Sequence, residues 1–300
     1  MTPPDPTAPP TVRLKAHEDR RLRRGHLWVF SNEVQSAPEG LEPGSLVRFE
    51  SSREEPLGVG FYNPQSLIAG RVLDRRPVPI DVAFFIGRLR RARELRERLF
   101  PDGAYRWVFG ESDDLPGLVV DRFGDAVVVE SFCAGMDRLT PLVLEALQTF
   151  GPWKAVVLKN DAAARRLEKL PESVAAVAGA PDRPHWFQAD GLHLAADLLE
   201  GQKTGYFFDQ RANRGSAARL AKGQSVLDVF CHTGGFGLAC AQAGATRVTG
   251  IDESDPALNL ARLAAERNAL GDRVTFARAD AFDYLMTSKE NHVLVVVHPP

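Results

Sequence analysis

The segment from Ser225 to Phe236 does most to limit what this chain can fold into. It is apolar from Ser225 to Phe230, then turns through Thr233, Gly234 and Gly235 into a helix-like run from Phe236 to Ala243. A buried parallel strand, a glycine turn and a helix N-terminus in that order bring backbone N–H groups close to a ligand. A second apolar strand, Arg247 to Ile251, ends in Asp252, where a carboxylate can accept hydrogen bonds from both hydroxyls of a ribose. The pattern then repeats: Asp255 and Pro256 open a helix through Asn268, Val274 to Ala277 reads as strand three, and Val293 to Val297 reads as strand four.

Asp228, Asp252 and Asp280 all fall at or just after the carboxyl ends of consecutive strands, the edge at which open α/β sheets bind ligands. Gly234, Gly235 and Gly237 lack the G-x-G-x-x-G spacing that seats a pyrophosphate on a helix. The turn therefore points to a nucleoside with a charged amino-acid tail rather than to NAD. Ahead of it, the segment from Gly201 to Arg211 reads as a polar lid.

The chain resembles the class I S-adenosylmethionine methyltransferases that modify C5 of cytosine in 23S ribosomal RNA and carry an N-terminal PUA domain. The likeness is carried by Arg24 to Phe30 with Gly60 to Pro64, by Gly110 to Arg122, and above all by Gly201 to Arg211 (GQKTGYFFDQR) and Phe230 to Phe236 (FCHTGGF). It implies S-adenosylmethionine as methyl donor, with Gly234 and Gly235 under the methionine part, Asp252 on the ribose and Asp280 near the adenine. Asp228 and Thr233 join the same cofactor set. Lys203, Phe207, Asp209, Gln210 and Arg211 would close over cofactor and base. It also implies a cysteine thiolate adding to C6 of a base flipped out of its stack, so that C5 can attack the methyl group.

No cysteine of this chain fits that part. Cys231 reads as a small residue packed at the strand tip, as the family uses that position, Cys240 as facing the sheet, and Cys133 as structural. The family nucleophile follows a fifth strand, and the sequence stops at Pro300 before that point. Where the family has Asp-Pro-Pro, this chain has His298-Pro299-Pro300. His298 is thus the one catalytic candidate; a histidine can donate to a base but offers no fixed negative charge. A noncatalytic protein binding S-adenosylmethionine and RNA, or an enzyme methylating a base nitrogen, are the alternatives.

The expected architecture is a Rossmann-like α/β methyltransferase domain over residues 190–300, incomplete after strand four, preceded by two smaller domains. Residues 11–76 alternate apolar and polar over short stretches between Gly and Pro turns, which suits a small PUA-like β-barrel. Residues 80–189 read as an α+β middle domain: a helix (Val82 to Leu99), a strand hairpin around Phe123 to Asp125, a helix (Leu139 to Phe150), a strand (Ala155 to Lys159) and a helix (Ala162 to Leu170). A hairpin is expected over Asp190 to Gln202. The proline-rich stretch Met1 to Pro10 reads as a disordered tail, and strand four, an apolar run of the kind found inside sheets, would need covering by further chain or by a second copy in a homodimer.

Net charge is −2, so the chain as a whole carries no basic signature, but the local distribution does. From Arg13 to Arg24 there are six cations against two acids. Arg20, Arg21, Arg23, Arg24 and His26 are the expected RNA contacts, with Trp28 and Phe30 following. A second arginine series, Arg88 to Arg98 on the first long helix, reads equally well as a solvated face of i,i+4 pairs. Nothing suggests a membrane span, a metal site or a disulfide, and the expected setting is cytoplasmic.

Overall fold

The structure, a computed structural model, describes residues 9–299. The expected tail falls largely outside the described residues. Pro10 is already part of the fold, its carbonyl accepting the Arg48 N–H at 2.8 Å.

Six short strands make the N-terminal sheet, in the order Trp28–Val29, Gly70–Asp74, Pro56–Tyr62, Ser45–Glu50, Thr11–Leu14, Val34–Ser36. Its two end strands do not pair with each other, so the small barrel is an open one. Alternate residues of these strands, among them Val12, Leu14, Val47 and Phe49, fill its interior.

The middle domain has five strands, in the order Ser173–Gly179, Ala155–Asn160, Ala126–Ser131, Leu118–Phe123, Ala104–Phe109. Every residue of Ala126–Ser131 is buried because both faces of this sheet are covered. Val127 and Val129 pack with the helices Val82–Leu99 and Ala134–Gln148, whereas Ala126 and Val128 join the core of the C-terminal domain. The middle and C-terminal domains therefore share a hydrophobic core.

The middle domain differs from the sequence reading in several elements. Ala134–Gln148 begins five residues before the expected Leu139, and Gly135 near its start is needed because a Cβ there would fall 1.9 Å from the Phe61 ring. The expected helix from Ala162 to Leu170 is a short 3-10 helix, Ala163–Glu168. Two of its residues are pulled inward: Arg165 donates to the Ser131 carbonyl at 2.6 Å, and Glu168 accepts from Asn63 at 2.6 Å, Ser66 at 2.8 Å and Arg71 at 3.1 Å. Glu168 thereby ties the middle domain to the PUA-like one. The hairpin lies earlier than expected, His185–Ala189 with Leu192–Ala196, and Asp190 and Gly191 form its turn at φ +53° and +77°.

Four arginines of Val82–Leu99 make ion pairs within the fold. Arg88 pairs with Asp74 and Asp114, Arg91 with Asp114, and Arg96 with Asp113; only Arg93 with Glu97 is an i,i+4 pair. The partners are mostly on other elements, which the sequence spacing could not show.

The C-terminal sheet is parallel, in the order Val274–Arg278, Arg247–Asp252, Ser225–Val229, Leu294–Val297. Chain order reverses between Ser225–Val229 and Leu294–Val297, a topological switch point, and such sheets hold ligands beyond the carboxyl ends of the strands there. Leu294–Val297 lies at the sheet edge, its outer side unpaired among the described residues and Val295 and Val297 exposed. No helix of the described residues is long and apolar enough to cross a membrane.

Candidate active site

At the switch point the chain leaves Ser225–Val229 and passes through Phe230, His232 and Gly234, all at positive φ (+62°, +50°, +74°), before the helix Gly235–Gln242. Left-handed backbone at two side-chain-bearing residues is a strained arrangement of the kind concentrated at binding sites. Gly234 is dictated by the protein side: a Cβ there would fall 2.6 Å from the Phe276 ring. Packing against Phe276 therefore requires a glycine at this position. At Gly235 a Cβ would meet the Tyr206 hydroxyl at 2.9 Å.

The turn opens on a cavity of about 370 Å³ whose lining includes Phe207, Gln210, Thr233, Gly235, Asp252 and His298. Asp252 anchors its floor, accepting the His232 N–H at Oδ2 (2.8 Å) and the Ser254 N–H at Oδ1 (2.9 Å). A carboxylate has about four acceptor positions, so two remain for a ligand. His298, just beyond the fourth strand, stands 6.4 Å from the Phe207 ring and 6.0 Å from the Phe236 ring, between centroids. Phe207 meets the His232 ring edge-on at 4.9 Å. Burial holds the His232 imidazole below its usual range despite Asp252 nearby.

The other expected cofactor residues do not line this cavity. Asp228 lies beneath the turn, fully buried, with Oδ2 accepting the Gly237 N–H at 2.8 Å; burial pushes its carboxyl up to about 7. Asp280 caps the helix Ala281–Thr287, accepting the Asp283 N–H at 2.8 Å. Arg211 is engaged elsewhere. It pairs with Asp102 and Asp190 and donates to the Ala104 carbonyl at 2.9 Å, so it clamps the helix Arg211–Ala221 to the middle domain. Lys203 sits 4.2 Å from the Phe207 ring centroid and 3.8 Å from Asp209, at the rim.

The residue that sequence reasoning missed is Arg214. It is 5% exposed, lies 4.7 Å from the Tyr206 ring centroid and donates through Nη1 to the Phe207 carbonyl at 2.9 Å. Its Nη2 is buried without a partner among the described residues, and Arg214 lines the cavity. A buried guanidinium group with an unused donor is suited to a carboxylate. The signal available was an arginine among the small residues Ala212, Gly215, Ala217 and Ala218, three positions after the polar segment that ends at Arg211. S-adenosylmethionine fits this arrangement: Arg214 meets the need of its carboxylate and Asp252 that of its ribose hydroxyls.

The three thiols are buried. Burial pushes Cys133 up to about 11 and Cys240 up to about 12, and burial with Asp228 and Asp252 nearby drives Cys231 higher still. Of the expected RNA contacts, Arg21 pairs with Glu33 at 2.6 Å and Arg23 with Asp19 and Glu55. Arg20 donates through Nη2 to His17 Nδ1 at 3.4 Å, and His26 accepts the Trp28 N–H at 3.1 Å. Arg24 closes the short helix Arg20–Arg23.

A Rossmann-like sheet with a cavity for a nucleoside and an amino-acid tail at its switch point defines the class. Residues 137–300 match the family described as S-adenosylmethionine-dependent methyltransferase, and residues 12–75 match the PUA-like domain. The chain is 36% identical over 302 residues to "Ribosomal RNA large subunit methyltransferase I" of Photobacterium profundum, covering 97% of this chain and 76% of that one. The protein of the same name from Shewanella frigidimarina is 34% identical over 300 residues, with 96% and 75% covered. In fold it is similar to a SAM-dependent methyltransferase of Streptococcus mutans, with a TM-score of 0.81 at 21% identity, covering 97% of this chain and 77% of that one. The chain belongs to the S-adenosylmethionine-dependent methyltransferase family, with a PUA-like domain at its N-terminus.

Proposed function

We propose that the chain methylates large-subunit ribosomal RNA, and that the acceptor is C5 of a cytosine in 23S rRNA. The observation that carries the reading is the cavity itself: it is lined by Arg214 and Asp252, groups suited to the carboxylate and the ribose of a cofactor, and by His298, Phe207 and Gln202. Support for the substrate comes from the relatives named above, which share this chain's sequence over almost its whole length.

S-adenosylmethionine, when bound, supplies an electrophilic methyl group on a sulfonium. Arg214 would hold the carboxylate and Asp252 the ribose, orienting the cofactor for transfer. Phe207 and Phe236 keep water from the mouth, and His298 offers a ring N–H to an acceptor on the base. Lys203 and Gln210 stand at or near the rim, where a flipped nucleotide must pass.

The thiolate that C5 chemistry needs is not Cys133, Cys231 or Cys240, whose thiols burial keeps protonated. Methylation at a base nitrogen, which needs no thiolate, is the second reading. Incubation with unmodified rRNA and methyl-labelled cofactor, followed by nucleoside mass spectrometry, separates the two. 5-Methylcytidine is expected; an N-methylated nucleoside would select the second reading, and no labelled nucleoside would contradict both.

A further inference from the structure

A cleft of about 1240 Å³ lies between the PUA-like domain, the middle domain and the loop of residues 200–203. Its walls are firm. Trp28 donates through Nε1 to Glu111 at 2.7 Å, and Glu168 binds Asn63, Ser66 and Arg71 at its base. Phe109, Phe132 and Leu67 present apolar surface to it, with Phe109 and Leu67 exposed. Gln202 lines both this cleft and the cofactor cavity, so the two are neighbours.

Glu130 lines the cleft from the strand Ala126–Ser131, is 5% exposed, and makes no side-chain hydrogen bond among the described residues. Its carboxyl oxygens are not sealed from solvent, so the group opens onto the cleft and is free to meet a ligand there. The cleft's guanidinium groups are already committed, Arg71 to Glu168 and Arg106 to Asp121. The interior is therefore poor for phosphates and well suited to a flat, polar-edged, stackable group.

We infer that this cleft takes an unstacked nucleobase of the RNA substrate, flanking the nucleotide presented to the cofactor, and that Glu130 hydrogen-bonds its edge. The inference rests on the rRNA reading above and adds where the flanking strand runs. Aromatic side chains supply the stacking that single-stranded RNA uses. Burial, with Asp121 nearby, pushes the Glu130 carboxyl up to about 7; Arg106 and Lys159 oppose that shift and Asp161 adds to it. A neutral carboxyl donates and accepts, which matches the adjacent donor and acceptor on a uracil or cytosine edge; a carboxylate only accepts.

The test is fluorescence anisotropy with labelled oligouridylate on wild type, Glu130→Gln and Glu130→Leu, with S-adenosylhomocysteine calorimetry as the check on folding. Wild type should bind and weaken as pH rises through about 7. Glu130→Gln, whose amide also donates and accepts, should bind as well and lose that pH dependence. Glu130→Leu should bind about tenfold more weakly. Phe109→Ala, a change at an exposed ring, should also weaken binding, by about tenfold, and decides the matter if Glu130→Leu fails to fold. If Glu130→Leu and Phe109→Ala bind RNA and methylate rRNA as wild type does, the cleft assignment is overturned while the rRNA reading stands. If wild type transfers no methyl to rRNA, the rRNA reading falls and takes this inference with it.

Discussion

The Thr204 hydroxyl donates to Asp121 Oδ2 at 2.6 Å, joining the segment in front of the cofactor cavity to the middle-domain sheet through two fully buried side chains. Asp121 is otherwise held by Arg106, whose Nε and Nη2 each donate at 2.9 Å. The front wall of the cavity, Tyr206 to Gln210, thus starts from a fixed point on another domain.

Thr204→Val keeps the shape and removes the donor, leaving a buried carboxylate short of one bond. Stability should fall by roughly 1–3 kcal/mol, read from urea unfolding, and affinity for S-adenosylhomocysteine should fall with it. Unchanged values for both would show that the bond does not position the wall.

Arg214→Met should separate the two ends of the cofactor. S-adenosylhomocysteine, which carries the methionine-type carboxylate, should bind more weakly by roughly 1.5–3 kcal/mol. Adenosine has no carboxylate and should bind as it does to wild type. Equal losses for both ligands would mean that Arg214 only shapes the cavity.

Asp228 gives the chain a pH signature. Its folded carboxyl sits at about 7 against an ordinary value of 3.8, so the native state binds its proton more tightly than the unfolded state. That contribution is present below the unfolded value and is lost as pH rises through about 7, by on the order of a few kcal/mol. Glu130, also raised to about 7, acts in the same direction. Asp228→Asn keeps an oxygen for the Gly237 N–H. In urea titrations at pH 5 and pH 8, wild type should lose more stability than this variant; parallel losses would contradict the assignment.

How much of this was legible beforehand depends on the range of the interaction. The parallel strands, the glycine turn and Asp252 were written in local pattern, because a buried strand and its helix declare themselves by apolar runs and caps. Arg211 and Arg214 illustrate the limit. Three residues apart on one helix, they face different partners: Arg211 reaches Asp102 and Asp190, and Arg214 reaches the cavity. Only the tertiary packing of that helix distinguishes them. Likewise Ser173–Gly179, rich in alanine, has weak strand propensity and forms because Ala155–Asn160 offers it an edge.

The buried thiols lead to a further expectation. Cys133, Cys231 and Cys240 should all resist iodoacetamide in the folded chain at neutral pH and all react in urea. Fast native-state labelling of Cys231 would return it to consideration as the nucleophile.

The central claim is that the cavity beside the Phe230 to Gly235 turn binds S-adenosylmethionine with Asp252 on the ribose. Isothermal titration of S-adenosylhomocysteine into wild type and Asp252→Ala tests it directly. Wild type should give a saturable heat and Asp252→Ala an affinity at least about tenfold lower, as the loss of hydrogen bonds to a charged group requires. Indistinguishable titrations, or no heat from wild type, would contradict it.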